Sequence, residues 1–70
     1  MTTGSEKFPE LVKDVRSQLG LSQEDLARAL GVSFATVNRW ENGKTSPSKL
    51  ARSQFDLFCK DMKKKGKLND

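Results

Sequence analysis

The 70-residue sequence has no histidine, no tyrosine and a single cysteine, Cys59. One cysteine excludes an intramolecular disulfide, and with no histidine beside it a zinc site lacks its usual ligand set. A nucleophile paired with a histidine base is excluded on the same ground. No metal, no cofactor, no small-molecule substrate and no catalytic group is expected, so the chain does not read as an enzyme. Cys59 reads as a small buried or half-buried apolar residue, and Asp56 and Asp61 as a solvated face rather than paired acids. Long apolar runs are missing too. None approaches the ~20 residues that cross a bilayer, and the polar start MTTGSEKF holds no signal-peptide core. A soluble cytoplasmic protein without a membrane partner is the expectation.

What the chain does have is positive charge and helical periodicity. Thirteen Lys and Arg stand against nine Asp and Glu, a net charge of +4. That balance permits a nucleic-acid partner without proving one. Phe8, Leu11, Val12, Val15 and Leu19 recur at three- and four-residue spacings, the mark of an amphipathic helix. It begins near Pro9, which a first turn tolerates, and stops at Gly20. Ser22 caps a second helix in which Leu26, Ala27 and Leu30 face inward, and Gly31 ends it. Ser22-x-x-Asp25 is a weak form of the capping box. Ser33 caps a third helix that runs to about Asn42 with Val37 and Trp40 inward, closed by Gly43. Lys44, Thr45 and Ser46 make a polar loop. Pro47-Ser48 then opens one long helix whose apolar side holds Leu50, Ala51, Phe55, Leu57, Phe58 and Met62, together with Gln54.

Two short helices joined across Leu30-Gly31-Val32 form a helix-turn-helix pattern. The fold class is therefore all-α, a compact bundle of four helices, or five, built around that unit. Residues 1–7 read as a disordered lead, 8–64 as the folded domain and 65–70 as a basic flexible tail.

The stretch LGLSQEDLARALGVSFATVNRWENGKTSPSKL resembles the DNA-binding domain of the phage repressor and Cro-type (XRE-like) helix-turn-helix family, over roughly Leu11 to Ala51. The features that carry the likeness are Gln23, Ala27, Gly31, the inward Val37 and Trp40, and Trp40-Glu41-Asn42-Gly43. Ala27 lets two helix backbones approach closely. The resemblance implies a lambda-repressor-like bundle whose third helix lies in the major groove of double-stranded DNA. Base reading then falls on Phe34, Ala35, Thr36, Asn38 and Arg39. Arg39 suits guanine, with a phosphate contact or a solvated surface position as the other reading, and Asn38 suits adenine or a phosphate. Phe34 and Ala35 suit thymine methyl groups, with packing against the neighbouring helix as the other reading of Phe34. Phosphate contacts fall on Gln23, Ser33, Asn42, Lys44 and Thr45, with an outer base as the other option for Gln23. The resemblance also pairs Glu41 with Arg16, which removes an acid from the DNA side.

These features imply a sequence-specific transcriptional regulator acting at the nucleoid. Three alternatives use the same scaffold: the DNA-binding antitoxin of a toxin–antitoxin pair, the DNA-targeting domain of a larger DNA-modifying enzyme, and a protein-interaction module. Many relatives have two short helices after the motif, where this chain has one long pattern. The usual homodimer contact is therefore in question, and Phe55, Phe58 or Met62 would have to supply another.

Overall fold

A computed structural model describes residues 7–69. Four helices follow one another, α1 (Phe8–Leu19), α2 (Gln23–Leu30), α3 (Phe34–Glu41) and α4 (Lys49–Lys64), and no strand occurs among the described residues. Residues 1–6, most of the expected lead, and Asp70 lie outside them. The bundle measures 28 × 26 × 21 Å.

Each helix starts where local chemistry favours a start. Pro9 sits in the first turn of α1, where a missing N–H costs no helical bond. At α2 the weak capping box is formed. Ser22 Oγ accepts the Asp25 N–H at 3.0 Å, and Asp25 Oδ2 accepts the Ser22 N–H at 3.3 Å. Those bonds hold the Asp25 carboxyl below its ordinary range. Ser33 Oγ accepts the Thr36 N–H at 3.1 Å and Ser48 Oγ the Ala51 N–H at 3.1 Å. Such caps contribute about 1 kcal/mol each.

The turn between α2 and α3 is decided at Gly31, which takes φ 75°. There the Val32 N–H reaches back to the Ala27 carbonyl at 3.0 Å. A β-carbon in that left-handed conformation is disfavoured, so glycine is the residue that turns the chain so tightly.

The core draws on every helix: Val12 and Val15 from α1, Leu26, Ala27 and Leu30 from α2, Val37 and Trp40 from α3, and Phe55 from α4. Ala27 is 2% exposed, within the core shared by the helices. Phe8 ties three helices together. Its ring meets Trp40 edge-on at 5.4 Å and Phe55 at 5.3 Å, the arrangement the ring quadrupoles favour. The Arg52 guanidinium covers the same ring at 5.0 Å.

Two features of the C-terminal third differ from expectation. Phe55, named above as a surface for a partner, is fully buried, while Phe58 and Met62 are half-buried. The exposed apolar residues of α4 are instead Leu50 and Leu57. The segment after α4 does not stand free as a basic tail either. Gly66 takes φ 75°, and the Lys67 N–H returns to the Met62 carbonyl at 2.9 Å. The chain reverses there, Leu68 enters the core at 8% exposure, and the Asn69 N–H donates to Gln18 Oε1 of α1 at 3.0 Å. One leucine's worth of apolar burial, about 1.5–3 kcal/mol, favours that return over the freedom of a short tail. Cys59 is half-buried, and burial together with the nearby Asp56 raises its thiol above the ordinary value. Asp56 pairs with Arg52 at 3.0 Å and Asp61 with Lys65 at 3.2 Å, all on the surface.

Candidate nucleic-acid interface

Helix α3 is eight residues long and takes its apolar anchoring from the side it buries. Val37 and Trp40 supply it, at 0% and 2% exposure. With that side in the core, Phe34, Ala35 and Arg39 are left exposed, and Thr36 and Asn38 sit at the margin. Phe34 keeps 52% of its surface in solvent. All five residues that the resemblance placed on bases thus lie on or beside one outer face.

The N-terminus of α3 carries no acidic residue in its first turn, whereas α2 carries Glu24 and Asp25 there. The positive end of the α3 dipole therefore has no acidic side chain beside it, and that of α2 is partly met from within. Ser33 Oγ and Thr36 Oγ1 lie 2.9 Å apart at this end. Beyond α3, Asn42, Lys44 and Thr45 are all exposed.

Glu41 is the one acid between Val32 and Arg52, where Arg39, Lys44, Lys49 and Arg52 are the bases. Its side chain is 3% exposed. Arg16 of α1 grips it with two parallel bonds, Nε to Oε2 at 2.7 Å and Nη2 to Oε1 at 2.9 Å. A planar fork on a carboxylate is the strongest geometry such a pair has. Arg16 Nη1 also donates to the Leu21 carbonyl at 3.1 Å, fixing the guanidinium to the α1–α2 corner. Burial pushes the Glu41 carboxyl upward, yet the hydrogen bonds from Arg16 and Gln23 prevail and hold it below its ordinary value. The Arg16 guanidinium is raised in turn, chiefly by its bond to Glu41. The acid is both neutralised and hidden, so the surface charge of this segment is positive.

Gln23, for which the resemblance implies a phosphate or an outer base, also makes bonds within the protein. It is half-buried, its Nε2 donates to Glu41 Oε1 at 3.0 Å, and its Oε1 accepts from Asn38 Nδ2 at 3.1 Å. Asn38 Oδ1 accepts in turn from Asn42 Nδ2 at 3.0 Å. This chain of amides was not legible in the sequence, because Gln23 and Asn38 lie 15 residues apart on different helices. Only the Asn38–Asn42 link has the four-residue spacing that local reasoning detects. Among the described residues no group of three or more His, Cys, Asp or Glu gathers to hold a metal ion. None of the helices is long and apolar enough to cross a membrane.

A tight glycine turn between two short helices, with the second locked on its inner side, is the architecture that known sequences can now be set against. The sequence model of the Helix-turn-helix family matches residues 12–50. The chain belongs to the helix-turn-helix family. Its relatives are varied. A type II methyltransferase of Lactococcus lactis subsp. cremoris is 43% identical over 59 residues, which cover 80% of this chain and 15% of that protein. A putative HTH-type transcriptional regulatory protein of Pyrobaculum aerophilum is 40% identical over 62 residues, 87% of this chain and 25% of the relative. An uncharacterized HTH-type transcriptional regulator of Methanothermobacter thermautotrophicus is 45% identical over 38 residues, 54% of this chain and 55% of its own length. The chain thus spans between 15% and 55% of these relatives. No solved structure matches it at a significant level.

Proposed function

We propose that this helix-turn-helix chain binds double-stranded DNA sequence-specifically, acting as a transcriptional regulator at the nucleoid in the cytoplasm. The observation that carries the reading is the division of α3, with one side locked in the core and the other side holding Phe34, Ala35 and Arg39 out to solvent. Residues 33–42 enter the major groove. Arg39 has the reach and the fork to bond guanine O6 and N7, and the apolar pair Phe34 and Ala35 meets thymine methyl groups. Thr36 and Asn38 read from the margin of the same face. Ser33, Asn42, Lys44 and Thr45 hold phosphate along the edge, where the positive helix end and the local basic charge favour it. The Gln23 side chain keeps its second amide N–H for a phosphate.

The test is selection of bound sequences from a random duplex library with the purified chain. A defined consensus, bound with an affinity that falls by about 0.9 log units per log unit of salt for each phosphate neutralised, supports the reading. No enrichment even at low salt sinks it and leaves the protein-interaction module.

A homodimer is the second part of the proposal. Leu50 and Leu57 are 71% and 65% exposed on one side of α4, and Leu57 borders a hollow lined by Ala29, Leu30, Gln54 and Phe58. Dimers read half-sites one helical turn apart, so a palindromic consensus supports a dimer and a single short half-site contradicts it. The alternative reading is a DNA-targeting part of a larger modifying enzyme. A natural reading frame that continues into a catalytic domain would decide for it.

A further inference from the structure

The four polar side chains at the α2–α3 junction form a chain with a direction. Amide nitrogen and oxygen are nearly the same size, so only hydrogen-bond partners determine which way an Asn or Gln faces. Here that choice starts at Glu41. Its carboxylate is ionised and pinned by Arg16, and an ionised carboxylate only accepts. Gln23 must therefore turn Nε2 toward Glu41, which leaves Oε1 toward Asn38. Asn38 must then turn Nδ2 toward Gln23, which leaves Oδ1 toward Asn42. Every amide in the row donates inward, and Gln23 and Asn38 each accept from the next one out.

The geometry points to Gln23 as a positioning residue for base recognition, one that fixes the rotamer and the donor–acceptor sense of Asn38 on α3. The inference rests on the reading of α3 as the helix that meets DNA. It gives Gln23 a different main task from a phosphate contact, and it makes the Arg16–Glu41 pair the origin of the order rather than a strut alone. A side-chain amide that rotates freely offers a donor or an acceptor to any base edge, whereas one held in a single sense discriminates. Asn38, held from both sides, offers one remaining N–H and one remaining lone pair in a fixed arrangement.

The experiment compares the full chain with Gln23→Met, which keeps the length of the side chain and removes its amide, and with Asn38→Ala. Gln23→Ala serves as a second variant should the thioether disturb packing. Each is taken through selection from a random duplex library, a salt titration on the selected duplex and thermal unfolding. Both Gln23 variants are expected to retain cooperative unfolding and the wild-type salt slope. They lose about tenfold in discrimination at the base pair where Asn38→Ala loses it, the scale of one well-made base contact. In the free protein, the Asn38 side-chain amide signals move toward those of a solvated asparagine, while the Arg16 Nε–H signal stays. Three results overturn the inference: an unchanged consensus; an even loss on all duplexes, which marks Gln23 as an uncharged phosphate contact; or Asn38 amide signals that do not move. If the wild-type chain selects no consensus at all, the DNA reading fails first and the inference falls with it.

Discussion

The two helices after the central turn differ in a way their lengths do not suggest. Helix α3 has eight residues and α4 has sixteen, yet the shorter one is held more firmly. Three of the eight residues of α3 are buried, Val37, Trp40 and Glu41, against Phe55 alone in α4. Beyond the core, Glu41 is tied to α1 through Arg16, and Asn38 to α2 through Gln23. Helix α4 leaves Leu50 and Leu57 in solvent, and its ion pairs, Arg52–Asp56 and Lys65–Asp61, are exposed and local. Length alone stabilises a helix weakly in water, and tertiary packing supplies the rest. An element that must present side chains to a rigid duplex needs that packing on its back and sides. The contrast between a short clamped helix and a long, lightly held one is what the following predictions break or sharpen.

The largest effect is expected at the shared centre. Trp40→Ala removes a fully enclosed ring that Phe8 also contacts, and should cost about 3–5 kcal/mol. That is a large share of the stability of so small a domain. Denaturant unfolding measures it, and a loss under about 1 kcal/mol would mean that α3 is not anchored through this residue.

Next comes the clamp on α3. Arg16→Met leaves Glu41 buried without its partner, so the loss should lie between the ~1 kcal/mol of an exposed pair and the ~3–5 kcal/mol of a buried one. Arg16 is 26% exposed, which argues for the middle of that interval. Unchanged stability would show that the pair does not hold the helix.

The same clamp predicts a pH dependence. The Glu41 carboxyl is held below its ordinary value in the folded chain. Its contribution is complete above the unfolded carboxylate value and is lost as pH falls through the lowered folded value. Thermal unfolding followed downward from neutral pH should show that acid loss in the wild type and a shallower one in Glu41→Gln. Identical acid limbs would assign the loss to other carboxylates.

The smallest effect belongs to the outer side of α4. Leu57→Ser should change stability by no more than about 0.5 kcal/mol, because the residue is 65% exposed. Any larger change in a concentration-dependent melt would identify Leu57 as part of a contact between copies, and that result would narrow the contrast between α3 and α4.

The same contrast separates what the sequence made legible from what it did not. The helix ends at Gly20, Ser22, Gly31, Ser33 and Ser48 could be read directly, because capping and left-handed turns depend on a few neighbouring atoms. The inward positions Leu26, Leu30, Val37 and Trp40 followed from helical spacing. Arg16 and Glu41 came only from likeness to a family, since nothing local connects residues 25 apart. The burial of Phe55 was missed for a similar reason. It depends on Phe8 folding over it from the far end of the chain, and the periodicity of α4 alone does not say which of its apolar residues meets the core. Leu68 carried no signal at all, being one apolar residue behind Lys63-Lys64-Lys65-Gly66-Lys67. On the outer face of α3, spacing marked which residues are free, and the amide row that holds Asn38 had to be seen in space.

The central claim is that the outer face of α3 reads bases while its inner side holds the fold. The most direct measurement is the affinity of Arg39→Ala for the selected duplex and for its single-base-pair variants. The account predicts that the variant stays folded, loses about 1–3 kcal/mol on the selected duplex, and ceases to discriminate at one guanine-containing pair while discriminating normally elsewhere. A loss spread evenly over every duplex, with a reduced salt slope, would make Arg39 a phosphate contact, and no loss at all would contradict the placement of this face against DNA.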